Sequence, residues 1–200
     1  MKILVIFGSV SDKHIYEPFI DTARKQFEVR LVIASAHRDP ALVEQTVLEG
    51  GYDVIVAGAG LAAHLPGVVA SKTTVPVFGI PVAANFNGLD AFLSILQMPR
   101  GVPVLTVAPG NEMAIISFLI NLKNGSEVKT ALVEKSCDVV RDGCAINVPA
   151  ITKEGLMKTE TALELLELVK TGGVWVGVNN MQNGELVKNK LVELAKGGLL

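Results

Sequence analysis

The chain has 200 residues, 50% of them hydrophobic and 19% charged, with a net charge of −2 and a mean hydropathy of +0.43. That length suits one domain with a sizeable core, and the apolar excess predicts a sheet buried on both faces with area left for partner subunits. The small charge and the lack of a Lys/Arg cluster argue against nucleic acid, and the longest strongly apolar stretch, "MAIISFLINL", is about half the roughly 20 residues that a membrane span needs.

The opening "MKILVIFGS" reads as a first strand, since its apolar run is short and ends in Gly-Ser rather than a leader's cleavage pattern. Apolar runs rich in β-branched residues recur at 2–7, 29–33, 54–57, 76–80 and 103–107. Helical periodicity fills the gaps at roughly 13–26, 41–49, 65–71 and 90–97, with another stretch at 113–122. Such alternation predicts an α/β fold with a parallel sheet and right-handed crossovers, a flavodoxin-like or doubly wound sandwich. Asp12 is placed to cap the first helix, Pro40 to open the second and Asp90 to cap the fourth.

The register changes after "LKNGSE" at 122–127, and residues 128–158 show no clear period. Then "TETALELLELVK" reads as an amphipathic helix, "GGVWVGV" as a strand and "GELVKNKLVELAKGG" as a helix with a glycine stop. The chain thus divides into an α/β domain at 1–122 and a C-terminal α/β extension at 123–200, packed on the same domain or on a neighbouring subunit. Cys137 and Cys144 have no histidine near them in sequence. Neither a disulfide framework nor a zinc site is expected, and reduced thiols in a cytoplasmic protein are.

Chemistry is expected at the strand ends, because ligands of open α/β sheets bind beyond the carboxyl ends of the strands. In "FGSVSDK", Gly8 allows a tight turn, Ser9 and Ser11 offer hydroxyls, and the helix that follows presents free N–H groups. That combination suits a phosphate, with Asp12 placed to accept from ribose hydroxyls. The alternative is a plain capping turn. "ASAHRDP" sets His37, able to carry protons near neutrality, beside Arg38, a two-pronged phosphate ligand.

"AGAGLAAHLPG" matches the dinucleotide fingerprint at Gly58, Gly60 and Ala63, but the context fails. It does not follow the first strand, and no acid closes the next. The small residues read better as backbone held close to a small flat ligand. His64 is either a second site histidine or a structural helix-start residue, and His14 reads as a solvated surface residue. "LQMPRGVPVLTVAPG" at 96–110 is a stiff, non-helical loop before a buried strand, of the kind that shapes a pocket or merely connects.

Taken in order and spacing, "GSVSD", "SAHR", "AGAGLAAHLPG" and "SILQMPRGVPV" resemble the PurE family. The likeness covers roughly residues 2–108 and extends more weakly to about 122. It implies a three-layer α/β/α sandwich with a flavodoxin-like parallel sheet, assembled as an octamer, with active sites at subunit contacts. It also implies de novo purine biosynthesis without a cofactor or metal: N5-carboxyaminoimidazole ribonucleotide is converted to 4-carboxy-5-aminoimidazole ribonucleotide (CAIR) through released carbon dioxide. By matching motif positions, Ser9, Ser11 and Arg38 would bind the phosphate, Asp12 the ribose, and His37 would be the general acid and base. Gly58, Ala59 and Gly60, with His64 and Leu65, would border the aminoimidazole ring and the carboxyl pocket.

The chain departs from the family pattern at Lys13, where an aromatic is usual, and at "AANFNG" and "APGNEMAI". Its tail is also longer than usual. Besides the mutase reading stand direct carboxylation of aminoimidazole ribonucleotide, or a related ribonucleotide carboxylase or decarboxylase, and a non-catalytic nucleotide-binding regulator. Retention of the "SAHR" histidine argues against the last.

Overall fold

The computed structural model describes residues 1–197. Residues 1–123 alternate strand and helix: β1 (Lys2–Phe7), α1 (Lys13–Ala23), β2 (Glu28–Ile33), α2 (Pro40–Leu48), β3 (Val54–Ala59), α3 (His64–Ala70), β4 (Val77–Pro81), α4 (Leu89–Leu96), β5 (Leu105–Thr106) and α5 (Met113–Lys123). There follow β6 (Val128–Val133), β7 (Cys144–Pro149), α6 (Thr159–Lys170), β8 (Val174–Trp175) and α7 (Met181–Lys196). The second glycine of the expected stop after α7, Gly198, lies outside the described residues.

All eight strands form one sheet in the order β2-β1-β3-β4-β5-β8-β7-β6. Strands β1 to β5 are mutually parallel, as are β6 to β8, but β5 meets β8 antiparallel through Thr106 and Trp175. The parallel sheet expected of residues 1–122 is present, and the extension continues it with three strands that run the opposite way. Because of that reversal, the carboxyl ends of β1–β5 and of β6–β8 emerge at opposite edges of the sheet.

Strand alternation explains the layers. Ile3, Val5 and Phe7 face one side, in a cluster that holds Phe19 and Ile20 of α1 and runs on through Leu119 of α5 to Leu191 of α7, which covers β6 and β7. Leu4 and Ile6 face the other, with Val43 and Val47 of α2, Val69 of α3 and Ile95 of α4. A third cluster joins Phe92 and Leu96 of α4 to Leu165, Leu166 and Val169 of α6 around Trp175. β1 is covered on both sides, which is why it reads as a continuous apolar run.

Two expected helix starts differ. Asp12 stands at the N-cap position of α1 but makes no side-chain cap bond; Ser9 instead caps a 3-10 turn over Val10–Asp12 by accepting from the Ser11 N–H. α4 starts at Gly88 (φ 78°), not at an Asp90 cap. The chain reaches it through Phe86 and Asn87, also at positive φ, so the loop's left-handed path sets the helix start before a carboxylate can. Pro40 does open α2 in the first turn. Only Leu105–Thr106 of the fifth apolar run pairs as strand, since Pro103 has no N–H to give a ladder.

Candidate active site

The strand order 2-1-3 puts a topological switch point between β1 and β3: the chain leaves β1 toward α1 on one face and leaves β3 toward α3 on the other. A cavity of about 520 Å³ opens there, at the carboxyl ends of β1 to β4. Ser9, Ser11 and Asp12 reach it from the β1 turn, His37 and Arg38 from the β2 exit, and Ala59, Gly60, His64 and Leu65 from the β3 exit. These candidates, spread over 57 positions of sequence, thus share one space. Gly58 is the exception and does not line it. Its hydrogen faces the Phe7 ring, which a Cβ would approach to 2.2 Å, so the residue serves close packing of β3 on β1.

The β1 turn is organised around hydroxyls. Ser9 Oγ accepts from the Ser11 N–H at 3.2 Å and lies 2.7 Å from Ser11 Oγ, which in turn donates to Asp12 Oδ1 at 3.2 Å. Burial pushes the Asp12 carboxyl above its ordinary range, opposed by the Ser11 bond and by the charges of His14 and Arg38. The backbone of this turn is anchored to its neighbour, the Gly8 N–H donating to the Gly58 carbonyl at 3.0 Å.

Ser35 and Asp39, which the sequence reading passed over, build the β2 exit. The buried Ser35 hydroxyl accepts from the N–H groups of His37 and Arg38, each at 3.3 Å. Asp39 accepts from the Ser35 N–H at 3.1 Å and donates its own N–H to the Ser35 carbonyl at 2.8 Å. Ser-x-x-x-Asp after a strand is the local turn signal that could have found them. From this fixed turn Arg38 reaches across to donate to the Gly8 carbonyl at 2.8 Å. Its guanidinium therefore stands over the serine turn with further N–H groups to offer.

His37 and His64 meet directly. His37 Nε2 is 2.8 Å from His64 Nδ1, and the rings stand edge to face with centroids 5.0 Å apart. His64 is the first residue of α3, delivered by a loop in which Leu61 (φ 53°) and Ala63 (φ 38°) adopt left-handed backbone, a strained path that non-glycine residues rarely take. His14 is exposed and only borders the site, its Nδ1 3.2 Å from the Ser11 carbonyl.

Val82 and Ala84, from the β4 exit, complete the lining, and the same strand-end rule could have flagged them. The stiff 96–110 segment lies elsewhere. Its proline-rich part precedes β5 and so sits at the opposite sheet edge, where buried Asn183 of α7 accepts from the Gly101 N–H at 2.9 Å and donates to the Pro99 carbonyl at 3.0 Å. Arg100 is exposed. The connector reading thus holds and the pocket reading does not.

A second cavity of about 520 Å³ lies beyond the exits of β6 and β7, against α6. Glu134, Lys135, Ile151, Glu164 and Leu168 line it, without a histidine or an arginine. Among the described residues, no group of three or more His, Cys, Asp or Glu is placed to hold a metal ion. No helix among them is long and apolar enough to cross a membrane.

Fold and cavity together define an open α/β protein with a candidate site at the sheet's switch point. The sequence pattern of the AIR carboxylase family matches residues 2–139, and the chain belongs to that family. It is 47% identical over 137 residues to the N5-carboxyaminoimidazole ribonucleotide mutase of Methanocaldococcus jannaschii, covering 66% of this chain and 86% of that one. It is 60% identical over 115 residues to the chloroplastic phosphoribosylaminoimidazole carboxylase of Vigna aconitifolia, covering 53% of this chain but only 20% of that one. The crystal structure of Treponema denticola PurE superposes with a TM-score of 0.53 at 23% identity, over 60% of this chain and 78% of that one, a likeness of fold.

Proposed function

We propose that the chain interconverts N5-carboxyaminoimidazole ribonucleotide and CAIR, a step of de novo purine biosynthesis, with His37 as the acid and base that meets the substrate. The supporting observation is one cavity that holds a serine turn, an arginine above it and an imidazole pair alongside. In this reading Ser9, Ser11 and Arg38 bind the phosphate and Asp12 the ribose. The backbone at Ala59 and Gly60, with His64 and Leu65, borders the ring and the carboxyl group. Gly58 supports that wall from behind.

The chemistry balances without a cofactor. His37 gives a proton to the exocyclic nitrogen as its bond to the carboxyl carbon breaks, the bonding pair staying on nitrogen and carbon dioxide leaving. The electron-rich ring carbon then attacks the trapped carbon dioxide, and the ring proton it must lose returns to His37. A positioned acid–base group contributes about 10²–10⁴-fold to such a step. Anchoring by the phosphate keeps the ring over the released carbon dioxide.

The cavity is open in the single chain. His37, Arg38 and His64 are all exposed, and Val10, Leu61 and Phe86 leave large apolar surfaces near its mouth. Carbon dioxide needs enclosure, and this apolar rim supports closure by a neighbouring copy in a homo-octamer. The protein would act in the cytoplasm, with residues 1–122 carrying the chemistry and 123–200 as a folded extension.

A second reading, direct carboxylation of aminoimidazole ribonucleotide by carbon dioxide, is favoured by the 60% identity to the Vigna aconitifolia carboxylase. One assay separates the two. The protein is given N5-carboxyaminoimidazole ribonucleotide, and separately aminoimidazole ribonucleotide with bicarbonate, and CAIR is followed. Formation from the first substrate is expected. Turnover of the second alone would transfer the reading to the carboxylase, and tight ribonucleotide binding without turnover would leave a regulator.

A further inference from the structure

Two neutral imidazoles joined by one hydrogen bond cannot choose their tautomers independently. The bond runs between His37 Nε2 and His64 Nδ1. If His37 carries its proton at Nε2, it donates to His64, and its Nδ1 is left as an acceptor. If His64 carries its proton at Nδ1, it donates to His37, whose Nδ1 must then hold the other proton. The partner therefore decides whether the free nitrogen of His37 is a base or an acid. Both rings cannot hold a proton at the shared bond, since two N–H groups would then face each other.

We propose that His64 is the positioning partner of His37, fixing the tautomer of that ring and sharing its charge, so that the two imidazoles handle one proton as a unit. This rests on the ribonucleotide reading above and adds a role for the second ring. A proton arriving at His37 Nδ1 makes the ring cationic while its Nε2–H still points at the lone pair of His64 Nδ1. The shared proton can shift toward His64, so that the charge spreads over two rings rather than one. Returning the Nδ1 proton to substrate reverses the shift, and no other donor or acceptor is needed.

The surrounding structure supports such a pairing. His37 leaves a turn held by Ser35 and Asp39, and His64 is aimed by the left-handed backbone at Leu61 and Ala63. Both rings thus project from buried backbone at Ser35 and Ala63. The other charged and titratable groups about the pair are Asp12 and Arg38 in the cavity, Asp39 in the turn, and His14 at its border. Arg38 is directed to the Gly8 carbonyl and Asp39 to the Ser35 N–H.

Three histidines in the chain make the test tractable by nitrogen-15 NMR of the full-length protein without substrate. A scalar coupling across the bond between His37 Nε2 and His64 Nδ1 is expected, with both rings changing together on titration. In His64→Leu the coupling should vanish and His37 should become a mixture of tautomers. His64→Asn places an amide oxygen where Nδ1 stood, able to hold the tautomer but not to take the proton. In turnover, His64→Leu should lower kcat by about 10²-fold, the low end for a positioned acid–base group, a larger effect than its rise in KM from the lost contact with the ring. His64→Asn should recover part of kcat with a displaced acid limb in its pH profile. The proposal is overturned if the wild-type rings titrate independently without coupling, or if His64→Leu keeps the wild-type kcat and pH profile. Coupling without turnover of either ribonucleotide would leave the pair standing and remove the substrate assignment instead.

Discussion

Replacing Gly58 with alanine would put a methyl carbon 2.2 Å from Cε1 of Phe7, 2.4 Å from Cζ and 2.6 Å from Cδ1. Carbon atoms rest at about 3.5–4.0 Å, so the ring would have to retreat by roughly 1 Å or more. It has little room. Phe7 is fully buried, and its ring packs on Tyr16 with centroids 5.4 Å apart. Overpacking of this kind costs about 1–3 kcal/mol. At about 2–4 °C per kcal/mol for a chain of this size, Tm should fall by about 2–12 °C. The Gly58 carbonyl also accepts from Gly8, so the displaced strand would disturb the serine turn and raise KM for the ribonucleotide. Thermal unfolding and steady-state kinetics measure both effects. Adding Phe7→Leu should restore much of what Gly58→Ala alone removes, a coupling that a double-mutant cycle reads directly. If Gly58→Ala leaves Tm unchanged and only weakens ligand binding, the glycine faces ligand rather than Phe7, and the packing argument fails.

Removing the Arg38 guanidinium forfeits charge-assisted hydrogen bonds worth about 1.5–3 kcal/mol, so Arg38→Ala should raise KM by about 10- to 150-fold with a smaller change in kcat; an unchanged KM would take Arg38 out of phosphate binding. Because burial raises the Asp12 carboxyl, ionising it costs the folded chain more than the unfolded one. Its contribution is complete below about pH 4 and is lost as pH rises through the raised folded value. Asp12→Asn should therefore gain Tm relative to the native chain as pH rises from about 4 to 7, and a gap that shrinks over that range would refute the sign. Of the two thiols, Cys137 is exposed, whereas burial pushes the Cys144 thiol up to about 12. A thiol-reactive disulfide should thus modify one cysteine in the native protein and both after unfolding; two fast-reacting native thiols would contradict the packing of β7.

Where sequence reading succeeded, the physics was local. β1 and β3 are buried on both faces, so their apolar runs announce them without any partner being known. Ser9, Ser11, His37 and Arg38 stood out because polar groups follow such runs where a parallel sheet opens its ligand edge. β6 escaped because it is an edge strand with Lys129 and Leu132 exposed. β7 was masked by its irregular surroundings, although all six of its residues are buried. Gly58 was misread for a related reason. A glycine reports that something approaches closely, and spacing alone cannot say whether that is a ligand or a phenylalanine ring.

What the sequence by itself determined was the alternation of buried strands and amphipathic helices, and with it the polar turns at the strand ends, because periodicity and turn chemistry act over a few residues. Three matters were left to the tertiary structure. β8 joins β5 antiparallel, Asn183 ties α7 to the loop at Pro99–Gly101, and His64 meets His37 across 27 positions of sequence. Each depends on where the sheet and its helices bring distant side chains, and no local pattern of residues carries that information.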